Sequence, residues 1–336
     1  MTVSTLAYTP LSDRAQKVVD NFIPPDGLIE ERTQRFAHVK PREPNKEGGV
    51  EVLHGVTFTH HFVHGPGEGG EEEVLWHYVE AGPRDAEAIV FLHGIPDSWF
   101  QWNNQMTALA ATHHCIAPDL KGYGQSEKRP GIYTHEGASE QLFSMLEKIN
   151  ITRFNLVTHD RGTVQGDYIT ANHPDNVIRY CRGEQHLYHF NPLVAPQGDL
   201  FAEAPYSGMM ADPVKFVLWV YTWVGGKEVS DEETIRTIQE HSYPGISKAV
   251  PRYFNSSSFR AEWLERRRRL LKAWKCPVQI MQGYHSKSQP REFYENAREY
   301  IPNAPKVEVV YLTGGHFWTL ECPEETTEAI KKMLRL

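Results

Sequence analysis

The chain is expected to fold as an α/β protein, with a mostly parallel central sheet flanked by helices and interrupted by an inserted helical cap. Three observations predict this. Apolar runs recur as AIVFLHG (88–94), HHCIAPDL (113–120) and FNLVTHD (154–160), continuous enough for strands buried on both faces. Helix-compatible stretches separate them, WNNQMTALAA (102–111) and Glu136–Ile149, and such alternation implies parallel strands joined by crossovers. The rhythm then breaks from about Leu187 to Leu271, which is aromatic-rich and helix-like, before strands return at CPVQIMQG (276–283) and KVEVVYLTGG (306–315).

Taken in order, residues 1–50 are rich in proline and charge (FIPPDG, KPREPNKEGG) and show no sustained period. They read as an extension packed over the surface, covering the cap or forming a subunit contact as in a homodimer. From Val56 to Ala81, TFTHHFVH and EVLWHYVEA flank GPGEGG, a hairpin signal that starts the sheet. A further strand is expected at Val177–Arg182, and EETTEAIKKMLRL closes the chain as a helix. The resulting division is an extension (1–50), a core in two pieces (51–187 and 272–336) and a cap (188–271).

At 336 residues and 40% hydrophobic, the chain can bury one large core around which an insertion folds. A formal charge of −8 argues against a nucleic-acid partner, since phosphate binding needs a basic footprint. The one dense basic run, Arg266–Arg269 in EWLERRRRLLKAW, reads as a solvated helix face paired with nearby acids. Cys115, Cys181, Cys276 and Cys322 are widely spaced and read as reduced, packed thiols. The N-terminus lacks a basic start followed by an apolar stretch, and no run of about eighteen apolar residues occurs, so a cytoplasmic protein without a membrane partner is expected. His54, His60, His61 and His64 cluster in sequence, but strand alternation sends His60 and His61 to opposite faces, so neither metal nor cofactor is expected.

The chemistry concentrates in LVTHDRG (156–162), an apolar strand, a sharp turn and a helix-compatible run with Asp160 at the tip. Such an elbow needs small residues two before and two after the nucleophile, and Thr158 and Gly162 stand there. A carboxylate nucleophile suits displacement at saturated carbon, because it leaves an ester that water can hydrolyse. In an open parallel sheet ligands gather at the carboxyl ends of strands. Three more polar groups fall there. After His93-Gly94 in FLHGIPDSWFQW (91–102), the Ile95 N–H is placed to donate to an oxyanion together with the N–H of Arg161 at a helix N-terminus. His316, in LTGGHFWTLECPEE, follows the last strand, where the water-activating base falls in a nucleophile–acid–His order. The loop after QIMQG carries Ser286 where an acid would often sit, so the orienting acid must come from elsewhere, and Glu184 at the end of VIRYCRGEQ is placed to supply it.

Together HGIPDSW, APDLKGYGQS (117–126), HDRG and GGHFWTLECPEE resemble the epoxide hydrolase and dehalogenase branch of the α/β-hydrolase superfamily, over residues 75–336. The resemblance implies the α/β-hydrolase fold, an Asp160 nucleophile and, with Glu184 at the ninth place after His173-Pro174-Asp175, the placement of the acid after the sixth strand. AVPRYFN (249–255) is similar to the cap segment that carries a ring-opening tyrosine, which maps to Tyr253, and LWVYTW (218–223) to the other, where Tyr221 is the nearest donor. His93, Trp99, Trp219 and Phe317 are expected to line the substrate pocket. HDRG also occurs in the fluoroacetate-dehalogenase-like group, whose second arginine three residues on is here Val164. The expected activity is therefore epoxide hydrolysis on a small-molecule substrate. The alternatives are haloacid or haloalkane dehalogenation with the same Asp160, or a ligand-binding relative without turnover.

Overall fold

The computed structural model describes residues 7–20, 27–67, 72–195, 201 and 209–335. Among these, β1 (Val50–Leu53), β2 (Val56–Gly65), β3 (Val74–Ala81), β4 (Ala88–Leu92), β5 (His114–Pro118), β6 (Phe154–His159), β7 (Val177–Gly183), β8 (Val278–Gly283) and β9 (Val307–Leu312) form one sheet. Its order is β1-β2-β3-β5-β4-β6-β7-β8-β9. Pairing is antiparallel from β1 to β3 and between β3 and β5. From β5 through β4 to β9 it is parallel. The β2–β3 hairpin lies where the alternating stretches put it, and most of its GPGEGG turn falls outside the described residues. β1 was not expected: four residues that end before a turn at Gly55, whose φ of 80° favours glycine, are too short to show alternation.

The parallel strands are apolar throughout because both faces are covered. Val90, Leu92, Leu156, Tyr180 and Ile280 join one core with helix α4 (His135–Lys148), helix α5 (Asp160–Asn172) and the aromatic helices that follow residue 209. Ile89, Phe91, Val157, Cys181 and Met281 face the opposite core, with Trp102, Met106 of helix α3 (Asn103–Leu109), Trp318 and Ile330. The period of two along each strand thus divides one continuous apolar run between two interiors.

Between β7 and β8 run helices Pro213–Val224, Asp231–His241, Ile246–Ser256 and Phe259–Glu265, the last continuing through a π-turn at Arg266–Leu270. Asp212, Ser230 and Ser258 each accept from a backbone N–H three residues on, which starts three of these helices with a side-chain cap. The basic run corrects a sequence expectation. Arg266 is not on a solvated face: it is buried, with Nε bonded to Asp167 Oδ2 at 2.5 Å. The other residues of the run stay outside, with Arg268 and Arg269 paired to Glu265. A π-turn rotates one residue of the run out of step, which is how a single arginine of four enters the core.

The extension, which shows no period in the sequence, contains helices α1 (Asp13–Asp20) and α2 (Leu28–Phe36). α2 lies on helix Pro213–Val224, burying Phe36 and donating from Arg32 Nη1 to Thr222 Oγ1 at 2.9 Å. All four cysteines are free and buried. No helix among the described residues is long and apolar enough to cross a membrane.

Candidate active site

Register explains why distant motifs meet. Leu92 on β4 pairs with Thr158 on β6, Thr158 with Arg182 on β7, Arg182 with Ile280 on β8, and Ile280 with Val309 on β9. Residues a few places beyond this row leave the sheet at one edge, and they include Ile95, Asp160, Glu184, Ser286 and His316.

Asp160 sits at φ 48°, one of few residues other than glycine with positive φ. That strain turns the buried strand β6 abruptly into α5 and leaves the carboxylate at the bend. Glycines allow the bend. A Cβ on Gly162 would stand 2.4 Å from the His93 carbonyl oxygen, and one on Gly94 would stand 2.5 Å from Asp160 Cβ. Thr158, the other small residue, bonds Thr163 Oγ1 at 2.9 Å beneath the bend.

The two carboxylate oxygens of Asp160 have different surroundings. Oδ1 accepts the Ile95 N–H at 3.0 Å. Oδ2 lies 3.6 Å from His316 Nε2, too far for a hydrogen bond but next to it. His316 Nδ1 donates to Glu184 Oε2 at 3.0 Å, and Ser288 Oγ is 3.0 Å from the same nitrogen. Glu184 is fixed in turn, at φ 52°, accepting from Gly283 N–H and Ser286 Oγ at 2.7 Å each. With its hydrogen on Nδ1, the imidazole presents Nε2 as a base toward Asp160.

Burial alone would lower the His316 pKa, but the hydrogen bond and charge of Glu184, aided by Asp160, outweigh it and raise it. Burial raises Glu184 above the usual carboxylate range, partly offset by His316, Ser286 and the Gly283 amide. Arg182, next but one in sequence, turns away to Asp167 at 3.1 Å, so Glu184 has His316 as its charged partner. Ser286, found in the loop position where an acid would often sit, supports the acid instead of replacing it.

A further layer joins these loops and left no spacing signal in the sequence. Gln101 accepts from Gly94 N–H at 3.0 Å and donates through Nε2 to His159 Nδ1 at 2.7 Å and Thr319 Oγ1 at 3.1 Å. One buried amide therefore ties together the oxyanion turn, the strand before Asp160 and the helix after His316. His159 passes the contact on, donating from Nε2 to the His316 carbonyl at 2.7 Å. Burial holds its pKa well below the usual histidine value, so it stays neutral.

On the opposite side, Tyr221 packs its ring 4.6 Å from that of Phe317 and donates its hydroxyl to Asp97 Oδ1 at 3.0 Å. Asp97, unremarked in the sequence, is buried, and burial pushes its pKa up to about 7. Tyr253 is also buried, but its hydroxyl donates to the Lys121 carbonyl at 2.9 Å. Arg161 follows Asp160 on the first turn of α5, and its guanidinium is held by Glu262 at 2.8 Å between the rings of Phe254 and Phe259. A guanidinium so paired is not free to clamp a substrate carboxylate.

Of the residues expected to line a pocket, Phe317 lies between His316 and Tyr221. His93 uses both ring nitrogens internally, on the Gly94 carbonyl and the Leu120 N–H. Trp99 packs with Phe58 and His60 in the core on the other face of the sheet, and Trp219 packs on Trp223. His60 and His61 diverge as strand alternation requires, one to His77 and Glu51, the other to Glu47 and Glu80. No group able to hold a metal ion occurs among the described residues.

The strand order and strand-edge site define the alpha/beta hydrolase fold, and the sequence profile of that description matches residues 87–180. Among curated proteins, the chain is 33% identical over 95 residues to Epoxide hydrolase 2 of Caenorhabditis elegans, covering 28% of this chain and 27% of that one. It is 38% identical over 116 residues to a haloalkane dehalogenase of Bradyrhizobium diazoefficiens, covering 34% and 36%. A haloalkane dehalogenase of Psychrobacter cryohalolentis is 32% identical over 120 residues, covering 35% and 40%. The matched part thus spans between about a quarter and two fifths of these relatives. Whole-fold likeness extends further. Cfl2 of Burkholderia cenocepacia superposes with a TM-score of 0.70 at 21% identity, over 87% of this chain and 99% of that one. An epoxide hydrolase from metagenomes of hot environments gives 0.69 at 19% identity, over 81% and 98%.

Proposed function

We propose that the protein is an epoxide hydrolase working through an alkyl ester on Asp160, with residues 188–271 as its cap and the cytoplasm as its compartment. The observation that carries this reading is the asymmetry of the Asp160 carboxylate. Oδ1 is already held by the Ile95 amide, so Oδ2 is the oxygen free to attack an epoxide carbon. Attack forms the Oδ2–C bond and breaks the ring C–O bond, leaving its electron pair on the former ring oxygen, which takes up a proton. Oδ1 becomes the ester carbonyl and is already held by the Ile95 amide where negative charge develops in the second step, and the Arg161 N–H at the start of α5 is the second donor assigned to it.

His316 Nε2 then takes a proton from water as the water oxygen adds to Cγ of Asp160. Collapse of that intermediate expels the diol oxygen, which takes the proton back from His316; the carboxyl left on Asp160 then releases a proton, balancing the one taken up in ring opening and restoring the carboxylate. Glu184 holds the imidazole in the tautomer this needs and stabilises its charged form.

Relatives named as haloalkane dehalogenases support a second reading with the same nucleophile. Pairing of Arg161 with Glu262 weighs against haloacids. The test is His316→Gln, which stops the second step. After incubation with a mixed panel of epoxides, haloalkanes and haloacids, the intact mass is measured and the modified peptide mapped. A gain equal to a whole epoxide on Asp160 is expected. A gain equal to substrate minus hydrogen halide would move the protein to the dehalogenases, and no adduct would leave a ligand-binding relative as the better reading.

A further inference from the structure

Ring opening needs a donor for the departing oxygen, and both cap tyrosines read from the sequence spend their hydroxyls elsewhere. Tyr221 donates to Asp97 and Tyr253 to the Lys121 carbonyl. One other phenol at this edge of the sheet is differently placed. Tyr123 is almost fully buried, and its hydroxyl has no hydrogen-bond partner among the described residues. Its ring stands edge-on to His93 at 5.1 Å, in the turn that delivers the Ile95 amide, and 6.4 Å from the ring of Tyr253.

The loop around it is built to hold this position. Gly122 and Gly124 flank Tyr123 at φ 92° and 45°, and a Cβ on Gly124 would stand 1.9 Å from Asp119 Oδ2. Asp119 anchors the same loop by accepting from Trp99 N–H and Gln125 N–H at 2.9 and 2.8 Å. Tyr123 N–H itself bonds the Leu120 carbonyl at 2.9 Å. A buried hydroxyl without a partner costs stability, so a loop this constrained that keeps one holds a donor in reserve for a ligand.

We propose that Tyr123, on the core side of the site, is a catalytic residue that protonates the epoxide oxygen as Asp160 Oδ2 attacks; this rests on the epoxide reading above. Burial holds the phenol in its protonated form, and the charges of Arg161 and Asp160 also act on it. As the Oδ2–C bond forms and the ring C–O bond breaks, the electron pair on the former ring oxygen takes the phenolic hydrogen. An alkoxide is more basic than a phenolate, so the transfer runs downhill, and the Arg161 guanidinium offsets the phenolate charge. Ester hydrolysis through His316 leaves Asp160 as a carboxylic acid, and that proton returns to Tyr123, so carboxylate and phenol are both restored and one water is consumed overall.

The experiment compares His316→Gln alone with His316→Gln carrying Tyr123→Phe, following the rate of mass gain by rapid quench. The alkylating probes are a panel of styrene oxide, 1,2-epoxyhexane and cis-stilbene oxide, with 1-bromohexane as a reagent whose leaving group needs no proton. Tyr123→Phe is expected to slow epoxide adduct formation by about 10²–10⁴-fold, the usual scale of general-acid assistance. Any bromohexane adduct should form at an unchanged rate, and thermal stability should be kept or raised because an unpartnered hydroxyl is removed. Equal epoxide rates in the two variants would overturn the assignment, as would equal slowing of both reagents, which marks a structural role. No epoxide adduct in His316→Gln itself would overturn the epoxide reading and this inference with it. Tyr221→Phe in the same background separates the alternative, since an effect confined to that variant returns the acid to the cap.

Discussion

The two halves of the site are built by different means. On the core side, Asp160, His316, Glu184 and the Ile95 amide leave the sheet just past one register row, and hydrogen bonds occupy all of them. On the side of the helices between β7 and β8, Tyr221 and Tyr253 are placed by packing, and each hydroxyl is engaged by a neighbour within the fold. A strand end carries its side chain to a place fixed by backbone pairing, whereas a helix laid over the sheet can rotate or slide by a residue. The first kind of position survives sequence change around it, and the second depends on every contact of the helix.

That contrast can be broken by substitution. Asp160→Ala is expected to lower turnover by on the order of 10⁴-fold or more, with the circular dichroism spectrum kept, as for other nucleophile deletions. Substantial residual activity in that variant would place the chemistry elsewhere. Glu184→Gln should reduce ester hydrolysis by about 10²–10³-fold while leaving alkylation of Asp160 nearly as fast. It should also move the acid limb of the rate profile. Glu184 raises the His316 pKa, and the base works only when neutral, so removing that charge shifts the limb to lower pH. A limb that stays put, measured by steady-state rates across pH, would mean that another group controls the base.

Gln101→Leu tests the layer behind the core half. It strands the Gly94 N–H and the His159 Nδ1 in the interior and is expected to cost about 2–3 kcal/mol in urea unfolding, with turnover reduced as the loops loosen. A stability change under about 0.5 kcal/mol would show that the three loops hold themselves. The smallest effect belongs to Asp97, in the loop after β4, where that loop meets Tyr221. Burial raises Asp97 to about 7, so the folded state binds a proton there that the unfolded chain releases near pH 4. Stability contributed through Asp97 is therefore full below the unfolded value and lost as pH rises toward 7. Asp97→Asn should flatten the change in melting temperature between pH 4 and 7; identical slopes in parent and variant would assign that dependence to other groups.

Legibility in the sequence followed the same division. Strands β4, β6 and β8 were legible because each is a continuous apolar run between helical stretches, and Asp160 because small residues bracket it. Glu184 could be read from its strand end and its ninth place after His173-Pro174-Asp175, once Ser286 stood where an acid would often sit. What was not legible depended on packing. Arg266 enters the core through a π-turn that no period announces. Helices α1 and α2 hide in a proline-rich, charged stretch because, at 8 and 9 residues, each is too short for a period to stand out. Gln101 and Tyr123 belong to the site through hydrogen bonds made or withheld, and composition carries no trace of either.

Glu321 gives the two halves a shared joint. Its carboxylate accepts from Gly226 and Lys227, just past the end of helix Pro213–Val224, and also from Gly315 and Phe317 on either side of His316. There the backbones touch, since a Cβ on Gly226 would stand 2.5 Å from Gly315 Cα. Any displacement of residues 225–227 would therefore pull on the same carboxylate that holds the backbone on either side of His316.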